Sequence, residues 1–170
     1  MKRRYGLVLL LTLLPLAGAQ ESADTPVVVE LEAFVIREVT GGDGAVAEER
    51  ERAQTSADGQ ILVPPGQTVE YVLTLRNRGE ATLPPGTVIL RGPVPPATRY
   101  LGGSATPTSD EVRAEFSADG GQTFSEPPVV GADGDEVEAE AYNVVRWTLL
   151  LPLGPGQTMT FVYRVVVAET

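Results

Sequence analysis

Pro65-Gly66-Gln67-Thr68-Val69-Glu70-Tyr71-Val72-Leu73-Thr74-Leu75-Arg76-Asn77-Arg78-Gly79 is the stretch whose reading decides the fold. A proline-glycine turn opens it. Val69, Tyr71, Leu73 and Leu75 then alternate with Glu70, Val72, Thr74 and Arg76, the period of a strand with one buried face. Asn77-Arg78-Gly79 closes the run with turn chemistry. The same phrase returns near the C-terminus as Pro155-Gly156-Gln157-Thr158-Met159-Thr160-Phe161-Val162-Tyr163-Arg164-Val165. Aligned, Val69 matches Met159, Tyr71 matches Phe161, Leu73 matches Tyr163 and Leu75 matches Val165. All are apolar or aromatic, so they are expected to face one core, and none is expected to be a ligand.

Outward from these two runs the chain reads as further short strands. Residues 27–36 are β-type, but the even positions change from Glu30 and Glu32 to Phe34 and Ile36, which suggests a bulge or a passage between sheets. Residues 45–59 are the least readable. Glu48-Glu49-Arg50-Glu51-Arg52 suits an exposed helical turn, a solvated loop or a polar edge strand, with the loop preferred. Ile61-Leu62-Val63 is a short strand stopped by Pro64. Residues 87–91 are extended, and Pro93, Pro95 and Pro96 confine the next segment to an edge or a loop. Arg99-Tyr100-Leu101 is read as a brief strand, and Val112, Ala114 and Phe116 as the apolar side of a half-exposed one. Val145, Trp147, Leu149 and Leu151 share a face of the next strand. Met159, Phe161, Tyr163, Val165 and Val167 line the last.

No segment has a helical period. The expected fold is all-β, an immunoglobulin-like β-sandwich, with a small β-barrel as the alternative. Trp147, alternating with Arg146 and Thr148, is expected in the core rather than stacked on a ligand.

The N-terminus reads as an address. Lys2, Arg3 and Arg4 precede an apolar run at 7–16, and Ala17-Gly18-Ala19 supplies a small-residue cleavage site. That run is about ten residues, half of the roughly 20 that a spanning helix needs, so cleavage is expected rather than a retained membrane span. The expected organisation is a signal peptide at 1–19, a flexible lead at 20–26 and one β-sandwich domain at 27–168. The expected location is the periplasm, the cell surface or the extracellular space.

Composition narrows the chemistry. The chain of 170 residues carries a net charge of −10, and loss of Lys2, Arg3 and Arg4 takes it to −13. Nucleic acid and anionic lipid surfaces are therefore poor partners. The sequence has no histidine and no cysteine, and its one lysine, Lys2, lies in the signal. Histidine-based triads, thiol nucleophiles, Schiff-base lysines and the usual zinc sites have no residues to use. Paired carboxylates of a glycosidase remain conceivable, but the acidic residues fall in loops and on exposed strand faces. Calcium is the one metal worth carrying, with Asp133, Asp135, Glu136 and Glu138 in one loop and Asp43 in another. Asp133-Gly134-Asp135-Glu136 lacks the spacing of an EF-hand loop.

The motifs carry two resemblances. Pro65-Gly66-Gln67-Thr68-Val69-Glu70-Tyr71 and Asn77-Arg78-Gly79 resemble the opening of a bacterial export family, the conserved-repeat domain of unknown function eleven. Val88 to Leu90, Pro95, Tyr100, Gly103-Ser104, Trp147 and Pro155-Gly156 take the family's later places. Gly92 departs from it, standing where an aspartate is usual. The resemblance spans roughly residues 27–167 and implies an immunoglobulin-like envelope or surface module, without implying a specific role. Separately, Ser117-Ala118-Asp119-Gly120-Gly121-Gln122-Thr123-Phe124 is similar to the Asp-box hairpin of sialidases, which implies a structural turn and not glycosidase activity.

Taken together these readings predict an exported, non-catalytic structural or interaction module with envelope or surface proteins as partners. The alternative is a carbohydrate- or calcium-binding module.

Overall fold

The opening run forms β6 (Thr68–Asn77) and its echo forms β11 (Thr158–Val167), and the two pair antiparallel. Because they run in opposite directions, the residues that match in sequence are not those that meet: Leu75 faces Met159, Leu73 faces Phe161, Tyr71 faces Tyr163 and Val69 faces Val165. The computed structural model describes residues 8–9, 26–40, 42, 44–55 and 61–169. The signal peptide apart from Val8 and Leu9, the lead apart from Pro26, and Asp43 lie outside the described residues.

Around this pair stand β2 (Val27–Thr40), β3 (Val46–Arg52) and β8 (Thr98–Tyr100), giving a five-stranded sheet in the order β3-β2-β6-β11-β8. A second antiparallel sheet, β7-β10-β9, consists of β7 (Ile89–Pro93), β10 (Val144–Leu149) and β9 (Val112–Ser117). Two-residue strands β1 (Val8–Leu9), β4 (Gln54–Thr55) and β5 (Ile61–Leu62) make a third, small ladder. A 3-10 turn at Ala139–Ala141 is the one helical element among the described residues. The two larger sheets pack face to face as a β-sandwich, and they do not close into a barrel.

Their inner faces interlock through aromatic rings. Trp147 of β10 is fully buried against Phe161 and Tyr163 of β11, with centroids 5.3 and 6.1 Å away. Tyr71 stacks on Tyr163 at 5.2 Å. Such rings remove large apolar areas from water and add about 0.5–1.5 kcal/mol per well-placed pair. Gly92 of β7 sits beneath this group: a Cβ there would lie 2.7 Å from the Tyr163 ring and 3.1 Å from Trp147. Only glycine lets β7 approach so closely, which gives a physical reason why no aspartate stands at this position.

The structure revises several expectations. Residues 46–52 form a polar edge strand, not the preferred loop, since β3 pairs with β2 from Phe34↔Arg52 to Thr40↔Val46. β2 has no bulge: its register with β6 is unbroken from Val27↔Asn77 to Ile36↔Thr68. Its change of pattern has another cause, because Phe34 and Ile36 lie on the outer face across from Arg52 and Arg50 of β3, with the Arg50 guanidinium 4.2 Å above the Phe34 ring. β10 ends at Leu149, so Leu151 is 49% exposed instead of joining the core face. Glu70 and Val72 are buried although they face outward, so β6 is covered on both sides.

Turn chemistry fixes the ends. Gly66 and Gly156 of the two Pro-Gly turns have φ of +79° and +74°, which side chains other than glycine rarely adopt. Asn77, fully buried, uses every polar atom it has. Its Nδ2 donates to the Ala81 and Leu153 carbonyls at 2.9 Å each, and its Oδ1 accepts from the Gly79 N–H at 2.9 Å. Its own N–H donates to the Gln157 carbonyl at 3.0 Å, and its carbonyl accepts from Gly156 at 2.8 Å. Asn77→Ala strands two carbonyls and an amide in or near the core and is expected to cost about 2–4 kcal/mol, read as a lower urea midpoint at unchanged slope.

Candidate functional site

The acidic loop is a small hairpin. Val137 N–H bonds the Val129 carbonyl at 2.9 Å, Gly131 N–H bonds the Asp135 carbonyl at 2.8 Å, and Gly134 N–H returns to Gly131 at 3.0 Å. Asp133 Oδ1 accepts from the Asp135 N–H at 3.3 Å. Asp133, Asp135, Glu136 and Glu138 are all exposed on this hairpin. Among the described residues no group of three or more acidic side chains converges, so the calcium expectation finds no ligand set there. Trp147 is also no ligand platform, since its ring is enclosed and its Nε1 donates to the Thr106 carbonyl at 2.9 Å.

The hairpin at Ser117–Phe124 is held by two side chains. Ser117, fully buried, donates its hydroxyl to Asp119 Oδ1 at 2.7 Å and accepts from the Gly121 N–H at 2.8 Å. The Asp119 carboxylate also accepts from the N–H groups of Gln122 and Thr123, at 3.0 Å each, and from the Thr123 hydroxyl at 2.7 Å. These donors, the Thr123 amide first, hold the Asp119 pKa far below the usual carboxylate range. Both oxygens are consumed by the turn, which leaves nothing for acid–base chemistry. The chain then returns through a single bridge, Phe116↔Ser125. Asp119→Asn retains one acceptor and loses the charge, so amide exchange at Gln122 and Thr123 is expected to speed up while the sandwich core stays protected.

One cluster was not legible in the sequence. On the outer face of the five-stranded sheet, Glu70 lies between Arg50 and Arg164, with Oε1 2.9 Å from Arg50 and Oε2 2.9 Å from Arg164 Nε. Arg164 reaches on to Glu48 with both terminal nitrogens at 2.8 Å. The hydrogen bonds that Arg164 donates lower the Glu48 pKa, and donating them to Glu48 raises that of Arg164. This network crosses β3, β2, β6 and β11. Reading 48–52 as loop hid it, because only a paired β3 brings Glu48 and Arg50 over the sheet. With every group paired it is a structural clamp, and it holds no free nucleophile.

Two cavities accompany these groups. The first, of about 520 Å³, lies where β8 meets β9 and is lined by Tyr100, Phe116, Tyr142, Pro107 and Pro127, with Glu126 at its side. The three rings pack on one another at centroid distances of 5.2 to 6.0 Å. That leaves no gap in which a cation or a second ring could be sandwiched. The second, of about 720 Å³, runs past the junction of β2 and β3 and is lined largely by polar groups, including the Arg37–Glu51 ion pair at 3.1 Å.

The buried tyrosines give the molecule an alkaline limit. Burial pushes the Tyr71 pKa up to about 12 from its ordinary 10.0, and burial likewise raises Tyr163 and Tyr100. The folded state keeps protons that the unfolded chain releases near pH 10. Stability is therefore full below pH 10 and is expected to fall as pH rises from 10 toward 12, by about 1.4 kcal/mol per pH unit from Tyr71, with Tyr163 and Tyr100 adding in the same direction. Tyrosinate absorbance should then appear together with unfolding in one cooperative step. The Tyr71 hydroxyl has no hydrogen-bond partner among the described residues, so Tyr71→Phe should be nearly neutral at pH 7 and should flatten this slope.

Comparison of the chain with family models, with curated proteins and with solved structures finds no match. No helix among the described residues is long and apolar enough to cross a membrane.

Proposed function

We propose that this chain is an exported, non-catalytic module of the cell envelope or extracellular space, which acts by holding other proteins. The observation that carries this reading is how completely the scaffold uses its chemistry-bearing residues. Trp147, Asn77, Ser117 and Asp119 are bound into turns or core, and Glu70 and Glu48 are neutralised by Arg50 and Arg164. What remains outward is loops, solvated carboxylates and strand edges, the parts through which a sandwich binds partners. The signal-like N-terminus, the absence of histidine and cysteine and the resemblance to an envelope repeat family support the same reading. A carbohydrate-binding role would need an exposed aromatic platform, and the buried Trp147 weighs against it.

Fractionation of the native cells and capture on the tagged chain test the proposal. The chain is expected in the periplasm, envelope or medium and is expected to recover a protein partner from that same fraction. A cytoplasmic chain that recovers no partner would overturn it.

A further inference from the structure

Register decides what each sheet edge offers. In an antiparallel ladder a residue turns its N–H and C=O to one neighbour, and the next residue turns them to the other. At one end of β2, the Arg78 N–H bonds the Pro26 carbonyl on the β6 side; further along, the Ala53 N–H bonds the Ala33 carbonyl on the opposite side. Odd-numbered residues of β2 thus point their peptide groups away from β6. β3 covers that side only from Phe34 onward. Val27, Val29 and Leu31 are left on an open edge, and among the described residues no backbone hydrogen bond reaches them there.

The other edges of the two larger sheets are blunted. β3 carries Glu48-Glu49-Arg50-Glu51-Arg52. β7 carries Arg91 and ends in Pro93, whose carbonyl takes the Tyr163 hydroxyl at 2.7 Å, and β8 is three residues long. On β9, the Ser109 N–H fills the Val112 carbonyl at 2.7 Å, the Thr108 hydroxyl takes the Ala114 N–H at 3.0 Å, and Ser125 exchanges bonds with Phe116 at 2.8 and 3.1 Å. Charge, proline, shortness and loop cover are the devices by which sheets avoid unwanted pairing. The open part of β2 has no proline, no basic residue and no bulge, and its only charges are Glu30 and Glu32. Val29 and Leu31 are instead 44% and 45% exposed on its core-side face, and Glu30 and Glu32 lie on the outer face, where Arg78 stands 3.7 Å from Glu30 and Arg52 pairs with Glu32.

We propose that this edge accepts a β-strand from another protein, one that alternates apolar and basic residues. Its backbone completes the hydrogen bonds of Val29 and Leu31, its apolar side chains cover theirs, and its basic side chains come beside Glu30 and Glu32 as second cations, in the way that two arginines flank Glu70. A second copy of this chain fits less well. Two of its antiparallel registers set Glu30 against Glu30 or Glu32, and each chain carries a net charge of −10. The inference rests on the reading of the chain as an interaction module and names the surface and the partner chemistry.

Two variants isolate the edge. Val29→Pro removes an outward N–H and leaves the β6 ladder in place, and Leu31→Lys sets a charge on the core-side face. The probe is a labelled short peptide alternating valine and lysine, titrated against the full chain by fluorescence anisotropy, with a valine–glutamate peptide as control. The wild type should bind the first and not the second, and each variant should weaken binding by roughly tenfold or more with an unchanged melting temperature. Equal binding by the wild type and both variants overturns the proposal. So does a wild-type dimer in sedimentation that Val29→Pro dissolves, because that gives the edge to a second copy. An envelope partner captured equally by Val29→Pro overturns the edge and leaves the interaction module standing. Failure to capture any partner or bind any peptide overturns both.

Discussion

Asn77 is the side chain on which the sandwich most depends. It ends β6, yet its amide reaches the carbonyl of Leu153, in the connection between β10 and β11. Leu153 in turn exchanges both backbone bonds with Leu83, at 2.9 and 3.0 Å, in the segment leading to β7. One buried amide therefore joins the end of a central strand to two of the connections that cross between the sheets, β6 to β7 and β10 to β11. A hydrophobic residue of the same size would keep the packing and lose the connection. An aspartate would keep the acceptor and place a charge beside two carbonyls.

The fold was legible because the informative residues act locally. Alternation in β6, β10 and β11, the two Pro-Gly turns and the proline cluster after β7 each announce themselves within a few positions. Where the reading failed, the deciding partner was distant in sequence. Glu48 to Arg52 look like a solvated loop until Phe34 and Glu70 are placed beneath them. The change of pattern in β2 looks like a bulge because sequence cannot show that arginines from another strand stand across from Phe34 and Ile36. The open edge was hidden for the same reason: Val27 to Leu31 read as any other strand, and only the point at which β3 stops sets them apart.

The outer face shows why an acidic chain keeps so many arginines. Burying the Glu70 carboxylate is costly unless it is paired and hydrogen-bonded, and two guanidinium groups supply both. Their planar forks also let Arg164 serve Glu70 and Glu48 at once, which a lysine ammonium does with less geometric fit. The charged side chains tie the strands across the face, and their aliphatic stems cover apolar surface there. Polar chemistry on this sheet is thus a fastening between strands.

The position of β11 carries a last consequence, for when the molecule can exist at all. This strand is the last of those described, yet it lies between β6 and β8 in the larger sheet. Glu70 and Arg164, which lock it there, are 94 residues apart. The larger sheet is incomplete without β11, and such long-range pairings form slowly because a large loop must close first. A nascent chain therefore cannot close this sheet, or join β8 to it, until β11 has been made.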